Sequence, residues 1–80
     1  KVVDDDKLLD EAKSLASRIA AQPIHSLRLT KRLLRDSQHV SLPIALEMAA
    51  SMQALAQNTS DHHEAVLAFN EKRKPKFEGR

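Results

Sequence analysis

Asp61-His62-His63-Glu64-Ala65-Val66-Leu67-Ala68-Phe69-Asn70-Glu71-Lys72-Arg73-Lys74-Pro75-Lys76-Phe77-Glu78-Gly79-Arg80 closes the chain, and its reading decides the fold. Asp61 and Glu64 have the spacing of a capping box, in which side chains three residues apart satisfy the free N–H groups of a helix start. The run between them and the basic cluster has no helix breaker, so the predicted helix continues to about Arg73. Pro75 stops it, because its ring removes an N–H and disfavours helical geometry in the residue before it. The helix is therefore read as 61–73, with residues 74–80 as a basic tail. Phe69, Pro75 and Phe77 interrupt the tail's charge.

Working back from this segment, the same logic gives three more helices. The chain has one Gly and three Pro, the latter at element borders, and is rich in Ala, Leu, Lys, Glu and Gln. Residues 42–58 carry Ile44, Ala45, Met48, Ala49, Met52, Leu55 and Ala56 at helical spacing, with Ser41 as N-cap and Pro43 in the first turn. Ala50, Gln53, Ala54 and Gln57 fill the opposite side, a sparsely charged surface suited to an interface. Residues 23–36 open with Pro23. Arg28, Lys31, Arg32 and Arg35 share one face there, opposite Ser26 and Thr30 set between leucines. Residues 5–21 present a stripe of Leu8, Ala12, Leu15 and Ile19, while Asp4, Asp5 and Asp6 favour the positive end of the helix dipole. The fold class is all-α, one helical domain over 1–80 with about four helices.

Eleven of the 33 apolar residues are alanine, so the core is thin. Apolar burial at about 25 cal/mol per Å² has to offset roughly 1.5 kcal/mol of ordering per residue, and the balance sits near zero. A partner surface is therefore expected. With no cysteine, no disulfide can compensate. No apolar run approaches a membrane span and the first residues lack signal-peptide character, so no membrane partner is expected and a soluble, cytoplasmic chain is. The net charge of +2 is unevenly spread, with Lys72, Arg73, Lys74, Lys76 and Arg80 near the end. Such a tail attracts phosphate from nucleic acid, a phosphorylated cofactor or a membrane surface.

Few residues suggest chemistry. His62 and His63 are adjacent, about 100° apart on a helix, and no third ligand follows one turn away, so no metal site is read. No glycine-rich phosphate loop can be built around Gly79 alone. Asp61 and Glu64 read as a cap before an acid/base pair, and Glu71 as a surface partner of a neighbouring lysine. Phe69 with Lys72 one turn later pairs a ring with an ammonium, which suits a nucleotide. Phe69 and Phe77 as core anchors with solubilising lysines is the alternative.

The closing stretch resembles the enoyl-CoA hydratase/isomerase (crotonase) family, whose members end on D-x-x-E-x-x-x-A-F-x-E-K-R-x-P-x-F-x-G. Asp61, Glu64, Ala68-Phe69, Glu71-Lys72-Arg73, Pro75, Phe77 and Gly79 match it. Earlier features are similar in order: Leu8 to Ile19-Ala20, Pro23, Thr30-Lys31-Arg32-Leu33-Leu34, Ala45-Leu46, Gln53 and Thr59. Lys1-Val2-Val3-Asp4 looks like the end of a core strand.

The resemblance implies a C-terminal helical oligomerisation segment of a crotonase-like enzyme, with the catalytic α/β spiral core missing. The oxyanion amides and acid/base glutamates would lie before Lys1, leaving no catalytic residue in this chain. Acyl-CoA would be a substrate of the parent enzyme and no cofactor is implied. The segment would pack subunits into trimer-based homo-oligomers and help to enclose CoA. Phe69 and Lys72, joined by Lys76 beyond Pro75, would contact its nucleotide. Ala49 departs from the pattern, standing where many relatives place a glutamate.

A competing function is an autonomous helical binding module whose basic tail meets an acidic partner or nucleic acid. Only two aromatic residues and a charge of +2 count against nucleic acid.

Overall fold

The computed structural model describes residues 1–80. Lys1–Asp4 form no regular element, and a 3-10 turn at Asp5–Lys7 leads into α1, Leu8–Ala20. α2 spans Ile24–Asp36 and runs through a 3-10 turn, Ser37–His39, toward α3, Leu42–Gln57. α4 spans Ser60–Asn70, and after a turn at residues 71–73 the rest of the chain forms no regular element. The all-α, four-helix architecture read from the sequence is the one observed.

Prolines set two of the starts. Pro23 precedes the first turn of α2 instead of standing within it: its carbonyl accepts the Leu27 N–H at 3.0 Å, and its missing N–H is no loss at a helix start. Ser41 occupies the N-cap position of α3 with extended backbone, but its hydroxyl makes no capping hydrogen bond. Pro43 sits in the first turn.

The expected helix 61–73 differs at both ends. Thr59 is the true N-cap: its Oγ1 accepts the His62 N–H at 3.1 Å and its hydroxyl donates to the Ala56 carbonyl at 2.7 Å. The helix stops three residues short of Arg73 because Lys72 turns left-handed, with φ of 55°. The Arg73 N–H then reaches back to the Ala68 carbonyl (3.0 Å) and the Lys72 N–H to the Phe69 carbonyl (3.2 Å). This is a Schellman ending, which normally carries glycine at the left-handed position.

Packing is sparse. α2 lies along α3 through Ser26, Leu29, Thr30 and Leu33 against Ala49, Met52, Gln53 and Ala56, and α4 meets α3 less extensively. α1 shares no comparable surface with another helix. The molecule is a slab of 43 × 39 × 18 Å with a radius of gyration of 15.9 Å, against about 12 Å for a globular domain of this length. Only Asp61 and Ala68 of the 80 residues are buried, while Leu8, Leu15, Leu34, Leu46 and Leu55 face outward. Such a chain exposes most of the apolar surface that normally drives folding, which calls for a covering surface.

Candidate functional site

The one region where polar side chains converge is α4 with the terminal segment folded back along it. Asp61, in the first turn, is 2% exposed. Its Oδ1 accepts the Glu78 N–H at 2.8 Å and its Oδ2 the Gly79 N–H at 2.9 Å, while its own N–H donates to the Arg80 carbonyl at 2.7 Å. Gly79 has φ of 82°, and a Cβ there would stand 3.4 Å from Ile24 Cγ2. The chain end is thereby wedged between the starts of α2 and α4.

One turn along α4, Glu64 receives both arms of Arg73, with Nη2 to Oε1 at 2.8 Å and Nη1 to Oε2 at 2.9 Å, and accepts the Lys76 N–H at 2.7 Å. Arg73 Nε also donates to Glu71 at 2.6 Å. Two-point pairing of this kind is the stronger form of charged hydrogen bond. The Arg73 guanidinium first, and the Lys76 N–H second, hold the Glu64 carboxyl down to about 2, and the same contact pushes the guanidinium above its ordinary value. The capping-box reading of Asp61 and Glu64 is therefore corrected. Neither caps α4. Both grip the segment 12 to 18 residues further on.

That segment makes one wall of an open cleft of about 640 Å³. Arg73, Lys74, Pro75 and Phe77 of that segment line it together with Ala65, Ala68 and Phe69 of α4 and Ala20-Ala21-Gln22 at the end of α1. Phe69 is 83% exposed, so it anchors no core among these 80 residues, whereas Phe77 is half-buried.

The three residues expected at a nucleotide site are thus not gathered into one cleft: Phe69 lines it, while Lys72 and Lys76 are exposed and do not. Lys72 lies past the end of the helix, so it does not share a helical face with Phe69 as expected. Lys74, not singled out from the sequence, lines the cleft directly. Its position follows from the fold-back of the tail, which no local spacing announces.

Charge is unevenly spent. Arg73 is neutralised by Glu64 and Glu71, and Arg80 pairs with Glu78 at 2.9 Å, but Lys72, Lys74 and Lys76 make no ion pair. Of the three, only Lys74 lines the cleft together with Phe69, and an ammonium group near an aromatic ring suits a planar heterocycle that carries phosphate. A second basic surface, Arg28, Lys31, Arg32 and Arg35 on α2, offsets its charge only through the 3.4 Å Arg32 to Asp36 contact. The His62 and His63 rings lie edge to face, 6.3 Å apart, and no three metal-ligating side chains come together. No helix is long and apolar enough to cross a membrane.

Comparison with known proteins gives a consistent result. The family model described as enoyl-CoA hydratase/isomerase matches residues 1–80. The chain is 38% identical over 80 residues to the 1,2-epoxyphenylacetyl-CoA isomerase of Escherichia coli K12, all of this chain aligning with 30% of that protein. It is 38% identical over 79 residues to the 2,3-dehydroadipyl-CoA hydratase of the same organism, 99% of this chain against 31% of that one. Among solved structures, an enoyl-CoA hydratase from Bacillus anthracis superposes with a TM-score of 0.94 at 30% identity, over 99% of this chain and 31% of that one. The chain thus spans just under a third of the length of these relatives.

Proposed function

Because the chain belongs to the enoyl-CoA hydratase/isomerase family, we propose that it is the helical segment of an enzyme acting on acyl-CoA thioesters. In this reading it encloses the CoA nucleotide and packs subunits together. The thioester chemistry is assigned to parts of the parent protein outside these 80 residues, with CoA entering as part of the substrate. The site residues are Phe69, Lys72 and Lys76, the ring meeting the adenine and the ammonium groups the phosphates.

One observation carries this reading: Phe69 stands 83% exposed at a cleft that Lys74, which no carboxylate neutralises, also lines. A large aromatic side chain gains roughly 1.5 to 3 kcal/mol on full burial, so an outward ring beside free cations is well placed for a partner. The exposed leucines of α1, α2 and α3 support the packing role, with a trimer-based homo-oligomer as the assembly.

Adenosine 3′,5′-bisphosphate, the nucleotide portion of CoA, tests the reading. In the intact enzyme it should compete with acyl-CoA, and Phe69→Ala should raise its inhibition constant. Equal inhibition of the wild type and Phe69→Ala would remove the cleft from the CoA site.

A further inference from the structure

The grip on the terminal segment is more elaborate than chain-end packing requires. Asp61 is the only charged residue that the fold buries, and it satisfies backbone N–H groups, not a counter-ion. Each of its oxygens serves a different donor, so only a carboxylate, acceptor at both positions, meets the geometry. Glu64 repeats the arrangement one turn on, taking the Lys76 N–H on the oxygen that also receives Arg73. The two carboxylates fix the backbone at Lys76, Glu78 and Gly79, and Arg73 fixes the point where the chain leaves α4. Lys74, Pro75 and Phe77, which form the cleft wall, are suspended between these ties.

We propose that Asp61 and Glu64 are positioning residues: together they clamp residues 73–80 along α4, hold Lys74 and Phe77 at the cleft that Phe69 also lines, and thereby set affinity for the nucleotide end of a phosphorylated ligand. The inference rests on the nucleotide-site reading above and assigns roles that the site residues themselves do not have. An untethered tail would leave the cleft without these lining residues, and ordering it on binding would subtract from affinity. A clamped tail has met that cost during folding.

Asp61→Asn tests the clamp in the intact enzyme. The amide keeps one acceptor but turns its NH2 toward a backbone N–H, so one tie becomes a repulsion. Hydrogen exchange at the Glu78 and Gly79 amides should accelerate by about tenfold or more, the scale of one lost hydrogen bond. KM for an acyl-CoA should rise about tenfold, while KM for the matching acyl-pantetheine, which lacks the nucleotide, stays put. Glu64→Gln, at a partly exposed position, gives the same readout through the Lys76 amide if Asp61→Asn does not fold.

Unchanged exchange at these amides would overturn the clamp. Faster exchange with an unchanged ratio of the two KM values would overturn its positioning role. If Phe69→Ala also leaves that ratio unchanged, the nucleotide site itself falls. If Phe69→Ala raises it and Asp61→Asn does not, the positioning proposal alone is rejected.

Discussion

Glu64 and Arg73, nine residues apart, meet through two parallel hydrogen bonds of 2.8 and 2.9 Å, and this pair turns the end of α4 back along its own helix. Its pH behaviour follows from the direction of the shift. The Glu64 carboxyl is held at about 2, below its ordinary 4.5, so the fold favours the carboxylate. The stabilisation is fully present above about 4.5 and fades as pH falls toward 2. Carboxyl carbon shifts of Glu64 should titrate with a midpoint near 2, and the Lys76 amide should lose protection over the same window. A midpoint near 4.5 would contradict the pairing.

Lys72 at φ of 55° makes a second, separable prediction. A side chain in left-handed backbone costs roughly 1 to 2 kcal/mol, part of which glycine recovers. Lys72→Gly should stabilise the fold by about 1 kcal/mol, raising Tm by roughly 4 to 8 °C, whereas the β-branched Lys72→Ile should lower it. Thermal melts decide this. If the same Lys72→Gly chain also binds acyl-CoA more weakly, the residue is strained for its charge, since strain of this kind gathers at ligand sites.

Asp61→Ala leaves two backbone N–H groups without an acceptor in a site only 2% exposed. A loss of about 2 to 4 kcal/mol is expected, at 1 to 3 kcal/mol per unsatisfied group with some relaxation to water. Denaturant unfolding measures it. A loss below 0.5 kcal/mol would mean that the terminal segment is not held.

The outward leucines predict association. Leu34 and Leu55 are each 63% exposed on helices that pair through other faces. Sedimentation of the chain should show mass rising with concentration, and Leu34→Lys or Leu55→Lys should reduce it while helical circular dichroism is retained. A strictly monomeric chain that binds no hydrophobic dye would contradict this.

Much of this architecture is legible in the sequence because its signals are local. Pro23 and Pro43 mark helix starts, and the leucine and alanine spacing gives four helices with ends mostly within a residue or two. The errors cluster where local spacing has two meanings. Asp61 and Glu64 have capping-box spacing, yet Thr59, two residues upstream, caps the helix and leaves both carboxylates free for a segment 12 to 18 residues away. The Schellman ending of α4 is invisible because its usual mark, glycine, is replaced by Lys72. Phe69 carries no signal separating an anchor from an exposed ring, because either lies at helical spacing. Lys74 reaches the cleft only because the tail folds back.

The central claim is that this segment holds the nucleotide of CoA, and the most direct measurement compares acyl-CoA with acyl-pantetheine turnover in the intact enzyme carrying Lys72→Ala or Phe69→Ala. The account predicts that KM for acyl-CoA rises by roughly 5-fold to 150-fold for Lys72→Ala, the equivalent of about 1 to 3 kcal/mol for a charge-assisted contact, and rises also for Phe69→Ala. It also predicts that kcat is preserved and that the penalty vanishes with acyl-pantetheine. An equal penalty on both substrates, or none on either, would contradict it.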